Sequence, residues 1–132
     1  MTRAMNALAL CGLLLALAGC VAAAVVGAAV AVGAYKYQQN TLERDYEAPY
    51  EHVWEASVQA MHNLQYHSVD QRRDVHRGAV EARRADDKLV RVVVEKVDEK
   101  KTCVKVRVSD FESDDNRRGA AVVHDRILAN IK

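Results

Sequence analysis

The uneven distribution of charge along this sequence constrains its fold more than any other feature. Residues 7–34 contain no charged side chain, whereas every Asp and Glu lies between Glu43 and Asp125. The chain has 132 residues, which is enough for one domain with a modest core. That domain must be formed by the charged part of the chain, and the uncharged part needs a separate explanation.

The N-terminal segment has the layout of a secretory signal. Arg3 and the free amine precede an apolar run, Ala7–Leu17, which is too short to cross a bilayer. The run ends in Leu17-Ala18-Gly19-Cys20, the pattern of a bacterial lipobox, in which a diacylglycerol is attached to the cysteine thiol. We therefore predict a lipoprotein signal peptide over residues 1–19 and lipidation, including palmitate, at Cys20. The alternative is that Cys20 is only a small apolar residue within a membrane helix.

Residues 20–40 are predicted to link the acylated cysteine to the folded domain. Val21–Ala34 consists of Gly, Ala and Val, and after cleavage it is too short to span a membrane. It could lie against lipid, pack against a second copy of itself through its small residues, or act as a flexible tether. No Asp follows Cys20 to favour retention in the inner membrane, so we expect the periplasmic face of the outer membrane.

Residues 41–132 carry the periodic patterns of a periplasmic α+β domain. Apolar residues recur at three- and four-residue steps after Pro49 and again near the C-terminus. This spacing predicts one helix with Pro49 at its first position and its end near Asn63, and another from about Ser113 or Asp115 to Lys132. Alternating or Val-rich runs predict five strands, at 41–47, 65–73, 78–84, 89–97 and 103–109. The last three should form an antiparallel meander, and the predicted order is β-α-β-β-β-β-α.

Both predicted helices have a single apolar stripe, so they should cover the same face of an antiparallel sheet. Strand alternation then places Cys103 and six charged side chains on the opposite face. The charged side chains are Glu81, Arg83, Arg91, Glu95, Lys105 and Arg107. This face is either simply solvated or a docking surface for a partner. Trp54 lies within the stripe of the first helix and is predicted to be in the core, the alternative being a ligand pocket or a membrane-facing patch.

The residue types that carry chemistry do not form recognisable motifs. The five histidines lack the spacing of zinc ligands, and all five are predicted to lie on the surface. Cys103 remains as the one unmodified cysteine of the mature chain, which excludes an intramolecular disulfide. With 19 basic and 18 acidic residues and no basic block, the chain lacks the charge pattern of a nucleic-acid binder. We expect no enzymatic activity, no catalytic or metal site and no cofactor.

Several segments together carry a resemblance to a known family. They are the lipobox, Gly33-Ala34-Tyr35, the run Leu42–Pro49 followed by Val53-Trp54, and the closing helix with Ile127–Ile131. In this order they resemble the small bacterial lipoproteins catalogued as domain of unknown function 3568. The resemblance implies a location and an architecture but no reaction, because the family has no assigned activity.

Two hypotheses for function follow. The favoured one is a membrane-anchored, non-catalytic envelope lipoprotein that acts through protein contacts in envelope assembly or integrity. The alternative is a module that binds a lipid or a small apolar molecule in a cavity between the helices and the sheet. A filled core with an exposed sheet face favours the first hypothesis, and an internal cavity favours the second. A hydrolase-like function would require a cleft that joins Cys103 to a histidine.

Overall fold

The computed structural model describes residues 30–131, which form an antiparallel sheet and two helices. The strands are β1 (Lys36–Gln38), β2 (Thr41–Tyr46), β3 (His67–Arg73), β4 (Arg77–Arg83), β5 (Leu89–Asp98) and β6 (Lys101–Val108). The helices are α1 (Tyr50–Asn63), between β2 and β3, and α2 (Asp114–Asn130), after β6. The order in the sheet is β1-β2-β6-β5-β4-β3. The predicted α+β class is confirmed, as is the element order β-α-β-β-β-β-α from β2 onwards.

Both helices pack on the same face of the sheet, as their apolar stripes predict. Helix α1 contacts β3 to β6, and α2 contacts β2 and β6. Beneath them lies a layer of valines with no exposed surface, namely Val80, Val90, Val92, Val94, Val104 and Val106. Because β-branched side chains pack well on a pleated surface, the Val-rich strands both form the sheet and fill the core.

Helix α1 begins directly after Pro49, because a fixed φ and a missing N–H suit the start of a helix. Pro49 itself has extended backbone (φ −60°, ψ 147°), so it precedes the first helical position rather than occupying it as the sequence suggested. The helix ends at Asn63, as predicted, and buries Val53 and Trp54. Ser57 is also buried, and its hydroxyl donates to the carbonyl of Val53 at 2.7 Å.

Helix α2 begins where the sequence predicts. Ser113 is its N-cap, and the Ser113 hydroxyl accepts the backbone N–H of Asn116 at 3.1 Å. Asp115 in the first turn further stabilises this end of the helix. The helix ends at Asn130, and Lys132, which was expected to close it, lies outside the described residues. Neither α1 nor α2 combines the length and apolarity needed to cross a membrane.

Strand β1 was not predicted from the sequence. The two residues that join it to β2, Gln39 and Asn40, both have positive φ (49° and 60°), the pattern of a type I′ hairpin turn. Asn40 is buried, and its side-chain amide donates to the carbonyl of Ser109 at 2.9 Å and accepts from the hydroxyl of Tyr37 at 3.2 Å. These tertiary contacts hold the turn without the glycine by which such turns are usually recognised.

The chain ahead of β1 also lies along β2, and we call residues 30–35 the strap. Backbone hydrogen bonds of 2.9 Å join Gly33 to Asp45 and Glu47 to Ala31. Partly buried valines of the strap pack against the core. The end of the predicted 20–40 linker is therefore continuous with the sheet. Residues 21–29 of the apolar segment lie outside the described residues.

Candidate functional site

The face of the sheet opposite the helices is open and carries alternating charges, as predicted. Arg91 Nε donates to Oε1 of Glu81 at 2.6 Å. Glu95 accepts from Lys105 at 3.2 Å and lies 3.4 Å from the guanidinium of Arg77. These pairs connect β4, β5 and β6. Ion pairs in contact with water contribute little to stability, so these groups can exchange partners at small cost. We call this surface the open face.

A shallow depression of about 200 Å³ lies within the open face. Ala79 and Val93, which are paired across β4 and β5, supply its small apolar side chains. Its charged lining consists of Asp70, Arg72, Arg77, Glu81 and Arg91. A side chain of a partner would therefore meet an apolar floor and three guanidinium groups, which are suited to bidentate recognition of a carboxylate.

Cys103 lies on the open face, as alternation predicts, yet it is only 6% exposed. It is placed between Asp45 of β2 and Glu95 of β5, and its thiol donates to Oε1 of Glu43 at 3.3 Å. Burial, followed by the hydrogen bond to Glu43, raises the pKa of the Cys103 thiol to about 12. The thiol is therefore protonated at neutral pH, and Cys103 is a poor nucleophile.

Nothing in the sequence pattern groups Cys103 with Glu43 and Asp45. Only the pairing of β2 with β6 brings these residues together, and their possible ligand atoms lie within 4.8 Å of one another. A metal ion at these atoms would have to displace the thiol proton that Glu43 accepts. In addition, Lys101 lies 3.5 Å from the carboxylate of Asp45. The arrangement is a hydrogen-bonded cluster between two strands of the open face.

One of the five histidines does not lie on the surface, where the sequence analysis predicted all of them. The exposed histidines are His52, His62, His67 and His76, as predicted. The prediction is wrong for His124, which is fully buried on the inner side of α2. His124 belongs to the same helical stripe as Ala120, Val123 and Ile127, but the sequence pattern was interpreted from its apolar members alone.

His124 is accommodated in the core because both of its ring nitrogens have partners. Nε2–H donates to the carbonyl of Leu42 at 2.9 Å, which leaves Nδ1 to accept from the hydroxyl of Tyr46 at 2.8 Å. Burial lowers the pKa of His124 to about 4, so the imidazole is neutral, and burial also raises the pKa of Tyr46. The ring of Tyr35 lies edge-on to His124, with the centroids 5.4 Å apart. This cluster joins the strap, β2 and α2.

Trp54 is 5% exposed and belongs to the core, as predicted. Its ring packs on Gly78 of β4, and the guanidinium carbon of Arg73 lies 5.5 Å from the ring centroid. One edge of the indole borders a surface groove of about 330 Å³ between α1 and β3, which Val58 also lines. Fully buried valines occupy the space between the helices and the sheet. Within residues 30–131, the surface groove beside Trp54 is a site that an apolar molecule could reach.

The predicted lipidation site, Cys20, lies outside the described residues, as does the predicted signal peptide over residues 1–19. Acylation at this position therefore stays a prediction.

Comparison with known families gives a match over most of the chain. A family model described as "Protein of unknown function (DUF3568)" matches residues 3–128. The match includes residues 3–19 of the predicted signal peptide, Cys20 and nearly all of the described domain. Comparison with curated proteins gave no match.

Proposed function

The chain belongs to the DUF3568 family, and from its lipobox and its open face we propose that it is a non-catalytic lipoprotein of the bacterial envelope that binds another envelope protein. The anchor is the acylated Cys20, and the domain lies on the periplasmic side of the outer membrane. The family match supports this proposal because it joins the lipobox and the domain in one unit. The observation that carries the proposal is the uncovered, charged open face above a filled core.

The open face has dimensions suited to a protein contact. Six strands spaced by about 4.8 Å, each about seven residues long, give a flat area of roughly 600 Å². A standard interface buries about 800 Å² on each partner. The open face therefore supplies most of the surface that a specific complex requires.

The chemistry of the open face favours a partner with acidic side chains. The depression beside Ala79 and Val93 is lined by three arginines, and the pair of Arg91 with Glu81 is 48% and 31% exposed. A carboxylate from a partner could replace Glu81 at small cost, because the existing pair is in contact with water. The filled core supports this contact over the alternative of a small apolar ligand held beneath the helices.

Photo-crosslinking from the open face tests the proposed contact. A photoreactive residue is placed at Val93 in the full-length, membrane-bound protein, and a matched one at Val122, which is 49% exposed on α2. We expect a protein adduct from position 93 and none from position 122. The substitution Arg91→Glu should abolish the adduct, because it replaces a guanidinium of the depression by a carboxylate. An adduct that forms only from position 122 would refute the proposed surface.

A charge swap separates docking from folding in this experiment. The double variant Glu81→Arg/Arg91→Glu restores the pair within the protein but reverses its direction on the open face. We expect this variant to unfold at the wild-type denaturant concentration and still to form no adduct. Recovery of the adduct in the double variant would mean that Arg91 acts only through its pair with Glu81.

Metabolic labelling with palmitate tests the anchor. We expect labelling of the wild-type protein and of Cys103→Ser, which serves as the control, and loss of labelling in Cys20→Ala. The Cys20→Ala protein should also keep its signal peptide and stay in the inner membrane. Unchanged labelling in Cys20→Ala would disprove acylation at this residue.

A further inference from the structure

The strap brings the proposed anchor to one particular end of the sheet. The described chain begins at Val30, beside the end of β2, where the backbone N–H of Glu47 donates to the carbonyl of Ala31 at 2.9 Å. Nine residues separate Cys20 from Val30. Even when fully extended, this segment reaches only about 35 Å. An anchor at Cys20 therefore keeps Val30 within about 35 Å of the lipid surface.

Two tight turns meet at the same end of the sheet. The turn between β5 and β6 lies next to the end of β2, because Tyr46 pairs with Thr102. The turn between β3 and β4 lies beside it, because the backbone N–H of Lys96 donates to the carbonyl of His76 at 2.8 Å. We call these two turns, residues 74–77 and 97–101, the hairpin end.

The hairpin end exposes two valines that contribute nothing to the core. Val75 is 74% exposed and Val97 is 55% exposed. The turns that carry them are held by side chains, since Asp74 accepts the backbone N–H of His76 and Asp98 accepts that of Lys100, each at 2.8 Å. Val75 lies in the turn between β3 and β4, where Gly, Asn, Asp and Pro are usual, and Val97 lies near the end of β5, so both apolar side chains face solvent at this end of the sheet.

The charges around these valines cancel. The hairpin end contains the acidic residues Asp74, Asp98 and Glu99 and the basic residues Arg77, Lys100 and Lys101, together with His76. With His76 neutral, the formal charge is zero. Apolar contact, rather than attraction to anionic headgroups, is therefore the interaction that this end offers to a membrane.

We propose that the hairpin end lies against the lipid surface, with Val75 and Val97 inserted among the headgroups. This inference rests on the proposed lipid anchor. The sheet then stands on the membrane, and the open face stays accessible to a protein partner. Three other exposed large hydrophobic residues lie elsewhere in the described chain: Tyr35 is in the strap, Phe111 follows β6 at the opposite end of the sheet, and Val122 is on the outer side of α2.

Quenching of tryptophan by brominated lipid tests this orientation. The processed full-length protein is reconstituted into vesicles of phosphatidylethanolamine and acyl-brominated phosphatidylcholine, which carry no net charge. Reporter variants are Val75→Trp and Val97→Trp, and the matched controls are Phe111→Trp and Val122→Trp. The wild-type protein gives the background from Trp54. We expect bromine to reduce the reporter emission at least twofold at positions 75 and 97 and to leave positions 111 and 122 unchanged.

The outcomes separate the orientation from the anchor. If the protein floats with the vesicles but positions 75 and 97 are not quenched, the domain stands away from the lipid and the orientation is wrong. Quenching at position 111 or 122 would place another surface on the membrane and also refute it. If the processed protein does not float and its mass shows no acylation of Cys20, the anchor itself fails, and the orientation fails with it.

Discussion

The substitution Gly78→Ala should destabilise the domain, although replacing a glycine within a strand by alanine usually stabilises a protein. An added Cβ would lie within 2.7 Å of Cε3 of the Trp54 ring and 2.9 Å from Cβ of Arg73, closer than real Cβ atoms approach. The contacted indole is buried and cannot swing away. Overpacking of a core typically costs about 1–3 kcal/mol, whereas removal of glycine from a strand gains about 0.5–1 kcal/mol. We expect a net loss of about 1 kcal/mol in the free energy of unfolding.

The loss of stability caused by Gly78→Ala should depend on the presence of Trp54. Trp54→Ala alone should lower the free energy of unfolding by about 3–5 kcal/mol, a large share of the 5–15 kcal/mol typical of a domain. In that variant the overlap with the indole is removed and only the contact with Cβ of Arg73 remains, so adding Gly78→Ala should cost less than it does in the wild-type protein. The wild-type protein, the two single variants and the double variant form a double-mutant cycle, and urea unfolding followed by circular dichroism measures the stability of all four. Circular dichroism is used because Trp54 is the only tryptophan and is absent from two of these proteins.

Gly119→Ala provides a matched control for the same change. There the added Cβ meets the end of the flexible Arg84 side chain at 2.7 Å and Val108 at 3.6 Å. Because Gly119 lies within α2, alanine should stabilise the helix by about 0.5–1 kcal/mol. The packing argument would be wrong if Gly78→Ala were neutral, or if its cost were the same with and without Trp54.

Three further predictions follow from the described contacts. Lowering the pH from 6.5 to about 4 should remove about 3 kcal/mol of stability, because the unfolded chain takes up a proton that buried His124 resists. Urea unfolding at both pH values checks this, and His124→Gln should lack the loss. The raised pKa of Cys103 predicts slow reaction with a disulfide reagent at pH 8 in the native protein and fast reaction in urea; equal rates would contradict its burial. A chain that begins at Val30 should fold without metal, so a chelator should leave its thermal unfolding unchanged. A chain that begins at Asn40 lacks the strap and β1, and thermal unfolding should show it to be less stable by about 3 kcal/mol.

Much of the open face could be predicted from the sequence. Alternation along β4, β5 and β6 assigns each charged residue to one side of the sheet, and the one-sided helices determine which side is covered. The pairing of Arg91 with Glu81 depends on the register of neighbouring strands and could not be read in this way. The depression beside Ala79 depends on the same register.

What the sequence determined by itself is local. Periodicity specified both helices and five of the six strands, because residues three or four apart share a helix face and residues two apart share a strand face. The order of the segments also identified the family. The sequence could not reveal β1, whose turn is held by Asn40 through a carbonyl 69 residues away. It also could not reveal the buried state of His124, whose partner carbonyl at Leu42 is 82 positions distant. Those features exist only when distant segments meet, since a polar group can be buried only where the fold supplies its hydrogen-bond partners.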